Sequence, residues 1–127
     1  MKKKIVKALN EQLNAEFYSA YLYFSMASYF RDNNLSGFTR WMEVQVQEEL
    51  VHCQKMSTFI ADRRGRVHLD GIKKPQHEWK SPLDAFESAF KHERDISKRI
   101  NELVKLSVDE KLNTSNKGSY PEKQYSQ

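Results

Sequence analysis

Apolar residues return at intervals of three and four along three long stretches of this chain, and polar interruptions separate the stretches. In the first, expected to be helical over about residues 4–33, Leu9, Leu13, Ala20, Tyr23 and Ala27 share one stripe. Asp32, Asn33 and Asn34 then supply a stop. A second helix is expected over about 36–65, with Asn34 or Ser36 as its N-cap and Gly65 as its C-terminal glycine. Its stripe holds Phe38, Met42, Gln45, Met56 and Phe59. Ser81 followed by Pro82 opens a third helix, expected to run to about residue 111, whose stripe holds Phe86, Phe90, Ser97, Ile100 and Val104.

Two long helices joined by a few residues must fold back as an antiparallel hairpin. Residues 66–81, with Gly71, Pro75 and scattered polar groups, read as an extended crossover that carries the chain along the bundle. The fold class is all-α, a helical bundle forming one domain over about residues 1–112. Beyond it the periodicity stops. The run 113–127, with Tyr120 and Tyr125 as its bulky groups, is expected to be a disordered or loosely attached tail.

Each stripe contains a polar intruder. Glu16 interrupts the first and Glu93 the third, while the second carries both Glu49 and His52. Residues three apart on a helix share a face, so a Glu-x-x-His pair can grip one metal ion together. A single glutamate on an apolar stripe more often snorkels to the edge than serves as a ligand. Three carboxylates and an imidazole converging from three helices are another matter. Their desolvation is severe unless a cation compensates, and the set suits iron, manganese or zinc. Tyr23 lies two turns beyond Glu16, and two readings of it stand: core packing, or a hydrogen bond to a metal-bound carboxylate. Cys53 is turned about 100° from His52 and is expected to pack between helices as a small hydrophobe. His68 and His77 fall in the crossover and His92 lies off the acid stripe, so all three are expected to be solvated. Met26, Met42 and Met56 read as gap-fillers.

Composition narrows the class. At 127 residues, with 4 Gly and 3 Pro, the chain supports one mostly helical domain, small for a free-standing enzyme and suited to association with other copies. No apolar run approaches the roughly 18 residues of a membrane span, and the opening Met1 to Lys4 leads into no signal-peptide core. The single Cys53 fits a reducing compartment, so the reading is cytoplasmic with no membrane partner. A net charge of +4 and a pI of about 9.1 raise the question of nucleic acid. The cations are dispersed apart from Lys2 to Lys4 and Arg63, Arg64 and Arg66, and no aromatic-basic stripe accompanies them, which argues against that partner. There is no phosphate loop, cysteine pair or nucleophile elbow.

The run from Leu9 through Glu16 to Tyr23 resembles the first helix of a ferritin of the prokaryotic non-haem type. So do Leu35-Ser36-Gly37-Phe38, Trp41-Met42, Gln47 to His52, Gly65-Arg66-Val67, Trp79, Ser81-Pro82-Leu83, Phe86-Glu87 and His92-Glu93. The resemblance implies a ferritin-like bundle with a crossover between its second and third helices. It implies that Glu16, Glu49, His52 and Glu93 are ligands of a di-iron ferroxidase centre, with Glu49 bridging, Glu16 and His52 on the first iron and Glu93 on the second. Tyr23 would stand in the outer shell. Fe(II) and dioxygen would be the reactants and ferric mineral the product, inside a homo-oligomeric shell. The family's fourth and fifth helices have no counterpart after Lys111. Three consequences are expected: an incomplete site, an apolar groove filled by another copy or by full-length ferritin, and an origin by truncation or a frame change. The alternative function is then a non-catalytic subunit or interaction protein with a partial metal site.

Overall fold

The computed structural model describes residues 2–115 of the chain, with side chains as far as Asp109. Three helices follow one another: α1 (Lys3–Asp32), α2 (Ser36–Asp62) and α3 (Pro82–Ser115). The third continues past its expected end near residue 111, so 113–115 are helical, and the rest of the expected tail lies outside the described residues. No helix among the described residues is long and apolar enough to cross a membrane.

The first two helices end in the same way. Leu35 N–H donates to Phe30 O and Asn34 N–H to Arg31 O, both at 3.0 Å, with Asn34 in the left-handed region at φ 59°. At the end of α2, Gly65 N–H donates to Ile60 O at 2.9 Å and Arg64 N–H to Ala61 O at 3.0 Å. These are Schellman caps, which satisfy carbonyls that the helix leaves without partners. The left-handed residue of the second is Arg64, at φ 63°, and not the expected Gly65. Gly65 answers a different need. A Cβ there would meet Ile60 Cγ2 at 3.0 Å and Val6 Cγ2 at 3.2 Å, where the end of α2 meets the start of α1. The N-cap of α2 is Leu35, without a side-chain cap, rather than Asn34 or Ser36. The start of α3 follows the sequence expectation: Ser81 Oγ accepts from Asp84 N–H at 3.1 Å, ahead of Pro82.

The crossover is strapped to α1 by polar side chains. Asn10 Nδ2 donates to Arg66 O at 2.9 Å while its Oδ1 accepts from His68 N–H at 2.7 Å, and Ser25 Oγ donates to Gln76 O at 2.7 Å. Trp79 then buries its ring beside Tyr29, 5.3 Å between centroids. This path delivers α3 to α1, where Phe86 of α3 also meets Phe38 and Trp41 of α2.

Both α2 and α3 pack on α1, and no Cα of α2 lies within 8 Å of one of α3 among the described residues. The core divides into two clusters along the bundle. One gathers Tyr23, Met26, Phe30, Met42, Trp79, Ala85 and Ala89, the other Ile5, Leu9, Leu13, Cys53 and Ile60. Glu16 and Glu49 sit at the waist between them, both buried.

The faces of α2 and α3 turned away from α1 remain apolar. Phe38, Trp41 and Phe90 are 43%, 44% and 65% exposed, and Trp41 stacks on Phe86 at 5.4 Å. Contiguous exposed aromatic surface favours association. Light scattering on the purified chain is expected to show species larger than the monomer, and Trp41→Ser combined with Phe90→Ser should shift them toward it. A monodisperse monomer of the parent chain would contradict this.

Candidate metal centre

Glu16 faces α2 because its stripe on α1, Leu9, Leu13, Ala20, Tyr23 and Ala27, is buried throughout. From α2, Glu49 projects into the same waist, one turn from Val46 and Cys53, which are also buried. His52, one turn beyond Glu49, stays about half exposed and turns its ring inward. Its Nδ1 lies 3.5 Å from Glu16 Oε1 and 3.5 Å from Glu49 Oε2. One ligand atom from each of the three residues lies within 4.8 Å of the others, the one such group among the described residues.

The electrostatics of this waist are unfavourable without a cation. Glu16 Oε1 and Glu49 Oε2 are buried and have no hydrogen-bond partner. Burial, with help from the adjoining Glu16 and then Glu93, pushes the Glu49 carboxyl up to about 10, so Glu49 holds a proton at neutral pH. Burial also pushes the Cys53 thiol up to about 12, reinforced by Glu16 and Glu49. Cys53 is buried and inert, as the sequence reading expects.

A divalent ion resolves this arrangement. Two ligands each about 2.1 Å from one ion stand roughly 3.0–3.4 Å apart in tetrahedral or octahedral geometry. The two 3.5 Å separations from His52 Nδ1 need only slight closure. Two carboxylate oxygens and an imidazole nitrogen therefore fit a borderline divalent ion.

Glu93 stands outside the three-ligand group. It is half-buried on α3, and its Oε2 accepts a hydrogen bond from the Tyr23 hydroxyl. Tyr23 is 1% exposed, and burial with the Glu93 contact raises its phenol well above the usual range, so it remains a donor. Of the two sequence readings of Tyr23, the geometry contains both the buried ring and the bond to an acid.

Two residues escape the sequence reading. Gln12 is buried, and its Nε2 donates to Glu16 Oε2 at 2.6 Å, which fixes the carboxylate and leaves Oε1 facing His52. Its place one turn before Glu16 was the available signal. The second is His92, expected in solvent. It is half-buried instead, its Nε2 2.7 Å from Ser19 Oγ and its ring edge-on to Tyr18 and Tyr23. Burial lowers its basicity, and the nearby Glu93 and Asp95 oppose that only in part. The reason for the discrepancy is the phase of α3: Ala85, Ala89 and Ile96 face α1, so His92 does too. His68 and His77 are exposed, as expected.

The ferritin-like domain model matches residues 6–117 of the chain. The bacterial non-heme ferritin of Bacteroides fragilis is 42% identical over 108 residues, which are 85% of this chain and 68% of that protein. That of Campylobacter jejuni is 39% identical over 111 residues, 87% of this chain and 66% of the other. Among solved structures, an open pore ferritin from the archaeon Archaeoglobus fulgidus superposes with a TM-score of 0.86 at 52% identity, covering 91% of this chain and 71% of that one. A humanized archaeal ferritin gives 0.85 at 56% identity, covering 87% and 67%. The chain thus spans about two thirds of the length of the relatives it matches. The bundle and the crossover agree with these likenesses, and the chain belongs to the ferritin family.

Proposed function

We propose that the chain binds Fe(II) at Glu16, Glu49 and His52 and passes its electrons to dioxygen, supplying ferric iron for storage as mineral in an assembly of subunits. One observation carries this reading: two buried carboxylate oxygens without partners, Glu16 Oε1 and Glu49 Oε2, both 3.5 Å from His52 Nδ1. In this account Gln12 orients Glu16, Glu49 loses its proton to become the shared anionic ligand, and His52 closes the first position from the half-exposed side. Glu93, held by Tyr23, serves a second iron. Each Fe(II) gives up one electron, and dioxygen is the acceptor.

Because Glu49 is protonated at neutral pH in the metal-free protein, binding the first ion should release about one proton per chain. Calorimetry in buffers of different ionisation heat measures this directly. Binding with no proton release at pH 7 would contradict the state assigned to Glu49.

A second reading has its own observation. Only three ligands form one compact group among the described residues, with Glu93 apart. On that reading the chain is a subunit that binds a single ion and does not oxidise it quickly. An anaerobic Fe(II) titration followed by air exposure separates the two. Two irons per chain and oxidation well above the protein-free rate support the ferroxidase; one iron with background oxidation supports the second reading.

A further inference from the structure

Ser19 and His92 stand beside the candidate metal centre, outside its three-ligand group. Ser19 is fully buried on α1, and its hydroxyl donates to Ala15 O at 3.0 Å. Its lone pairs are left for His92 Nε2, 2.7 Å away on α3. That contact is at the short end for a nitrogen donor and joins the fully buried Ser19 of α1 to the half-buried His92 of α3. A buried hydroxyl is costly unless its partners are in place, so the contact favours one arrangement of the two helices.

What this arrangement fixes is Glu93. The His92 ring meets Tyr23 edge-on, at 5.7 Å and 88°, and on its other side meets Tyr18 at 5.8 Å and 63°. Lys73 of the crossover lies over the outer face of Tyr18, 5.1 Å from its centroid. Tyr23, wedged by His92, donates to Glu93 Oε2. The series therefore runs from Ser19 to His92, from His92 to Tyr23, and from Tyr23 to the acid. Tyr23 holds Glu93 from α1, with Glu49 as the acid's neighbour on the α2 side, and among the described residues no backbone of α2 comes close to α3.

We infer that Ser19 and His92 are positioning residues that set α3 on α1 at the metal centre and thereby place Glu93 for the second metal ion. This rests on reading the centre as a metal site. Outer residues that orient a ligand change metal affinity on the order of 10- to 100-fold when lost. The first ion, held by Glu16, Glu49 and His52 from α1 and α2, is insulated from the change.

The test is an anaerobic Co(II) titration of the full chain, followed by calorimetry and by the visible bands of bound Co(II). Ser19→Ala removes the acceptor with little change of volume; His92→Phe keeps a ring against Tyr23 and removes the nitrogen. Both should leave the first Co(II) within about twofold of the parent and weaken the second on the order of 10- to 100-fold. His92→Gln, whose amide can reach Ser19, should recover part of the loss. A parent that binds two ions, with both variants unchanged at the second, overturns this inference alone, as does equal weakening of both ions in a folded Ser19→Ala. A parent that takes up only one Co(II) overturns the second site and this inference with it, and one that takes up none overturns the metal reading as well.

Discussion

Glu49→Gln is expected to abolish metal binding at the buried group and, in the metal-free protein, to raise stability at neutral and alkaline pH. The amide keeps the shape of the protonated acid but cannot become an anionic ligand, so loss of metal affinity should reach at least about 100-fold. The stability effect follows from linkage. The Glu49 carboxyl is raised from 4.5 in the unfolded chain to about 10 in the fold, chiefly by burial. Between those values the folded state holds a proton that the unfolded state has released. Stability from this group is fully present below about pH 4.5 and is lost as pH rises toward 10, at a slope of up to about 1.4 kcal/mol per pH unit. The glutamine variant lacks that slope. Urea unfolding of both proteins from pH 5 to 9 in a chelator checks it: the curves should diverge as pH rises. Parallel curves, or a variant that still binds metal, would contradict the account.

Phe30→Ala is expected to be the most damaging single change in the apolar core. Phe30 has no exposed surface, and its ring meets Phe38 at 5.7 Å and Phe86 at 5.9 Å, so it joins all three helices. Its backbone carbonyl also receives the Leu35 N–H that closes α1. Removing a buried phenylalanine costs about 3–5 kcal/mol, a large share of the roughly 5–15 kcal/mol that holds a domain together. The melting temperature should fall by about 10–20 °C, or cooperative melting should vanish. Phe24, on the same helix but 64% exposed, supplies the control: Phe24→Ala should stay within about 0.5 kcal/mol. Circular dichroism melts compare the two. Equal effects would mean that the cluster around Phe30 is not the core.

How far the sequence could be read differs from helix to helix, for a physical reason. α1 lies between two neighbours, and every member of its stripe, Leu9, Leu13, Glu16, Ala20, Tyr23 and Ala27, is buried. Its pattern reports one environment. In α2 the stripe through Phe38, Met42, Gln45, Glu49, His52, Met56 and Phe59 is right at Met42 and Glu49, whereas the most buried positions beside them are Thr39, Val46, Cys53 and Ile60. The buried face is rotated by one residue because large apolar groups also mark the outer face, where Phe38 and Trp41 stand exposed.

In α3 the same competition misleads more. Phe90 and Val104 are conspicuous in the sequence but 65% and 50% exposed, while the small Ala85 and Ala89 mark the line of closest approach to α1. Bulk signals a face that packs something; small residues signal where backbones come near. That rotation brings His92 inward. The acids are easier to find than their supports, since a carboxylate on an apolar stripe is conspicuous and Gln12 or Ser19 is not. Likewise Gly65 announces a helix end, but nothing in the sequence distinguishes a glycine chosen for its φ from one chosen for lack of a Cβ.

Glu16, Glu49 and His52 are proposed to hold one ion between them. Anomalous diffraction from crystals loaded anaerobically with Fe(II), measured on either side of the iron edge, tests it most directly. An iron peak is expected within about 2.0–2.3 Å of Glu16 Oε1, Glu49 Oε2 and His52 Nδ1, with any second peak on the Glu93 side. Iron bound elsewhere on the chain, with these three side chains free of metal, would contradict it.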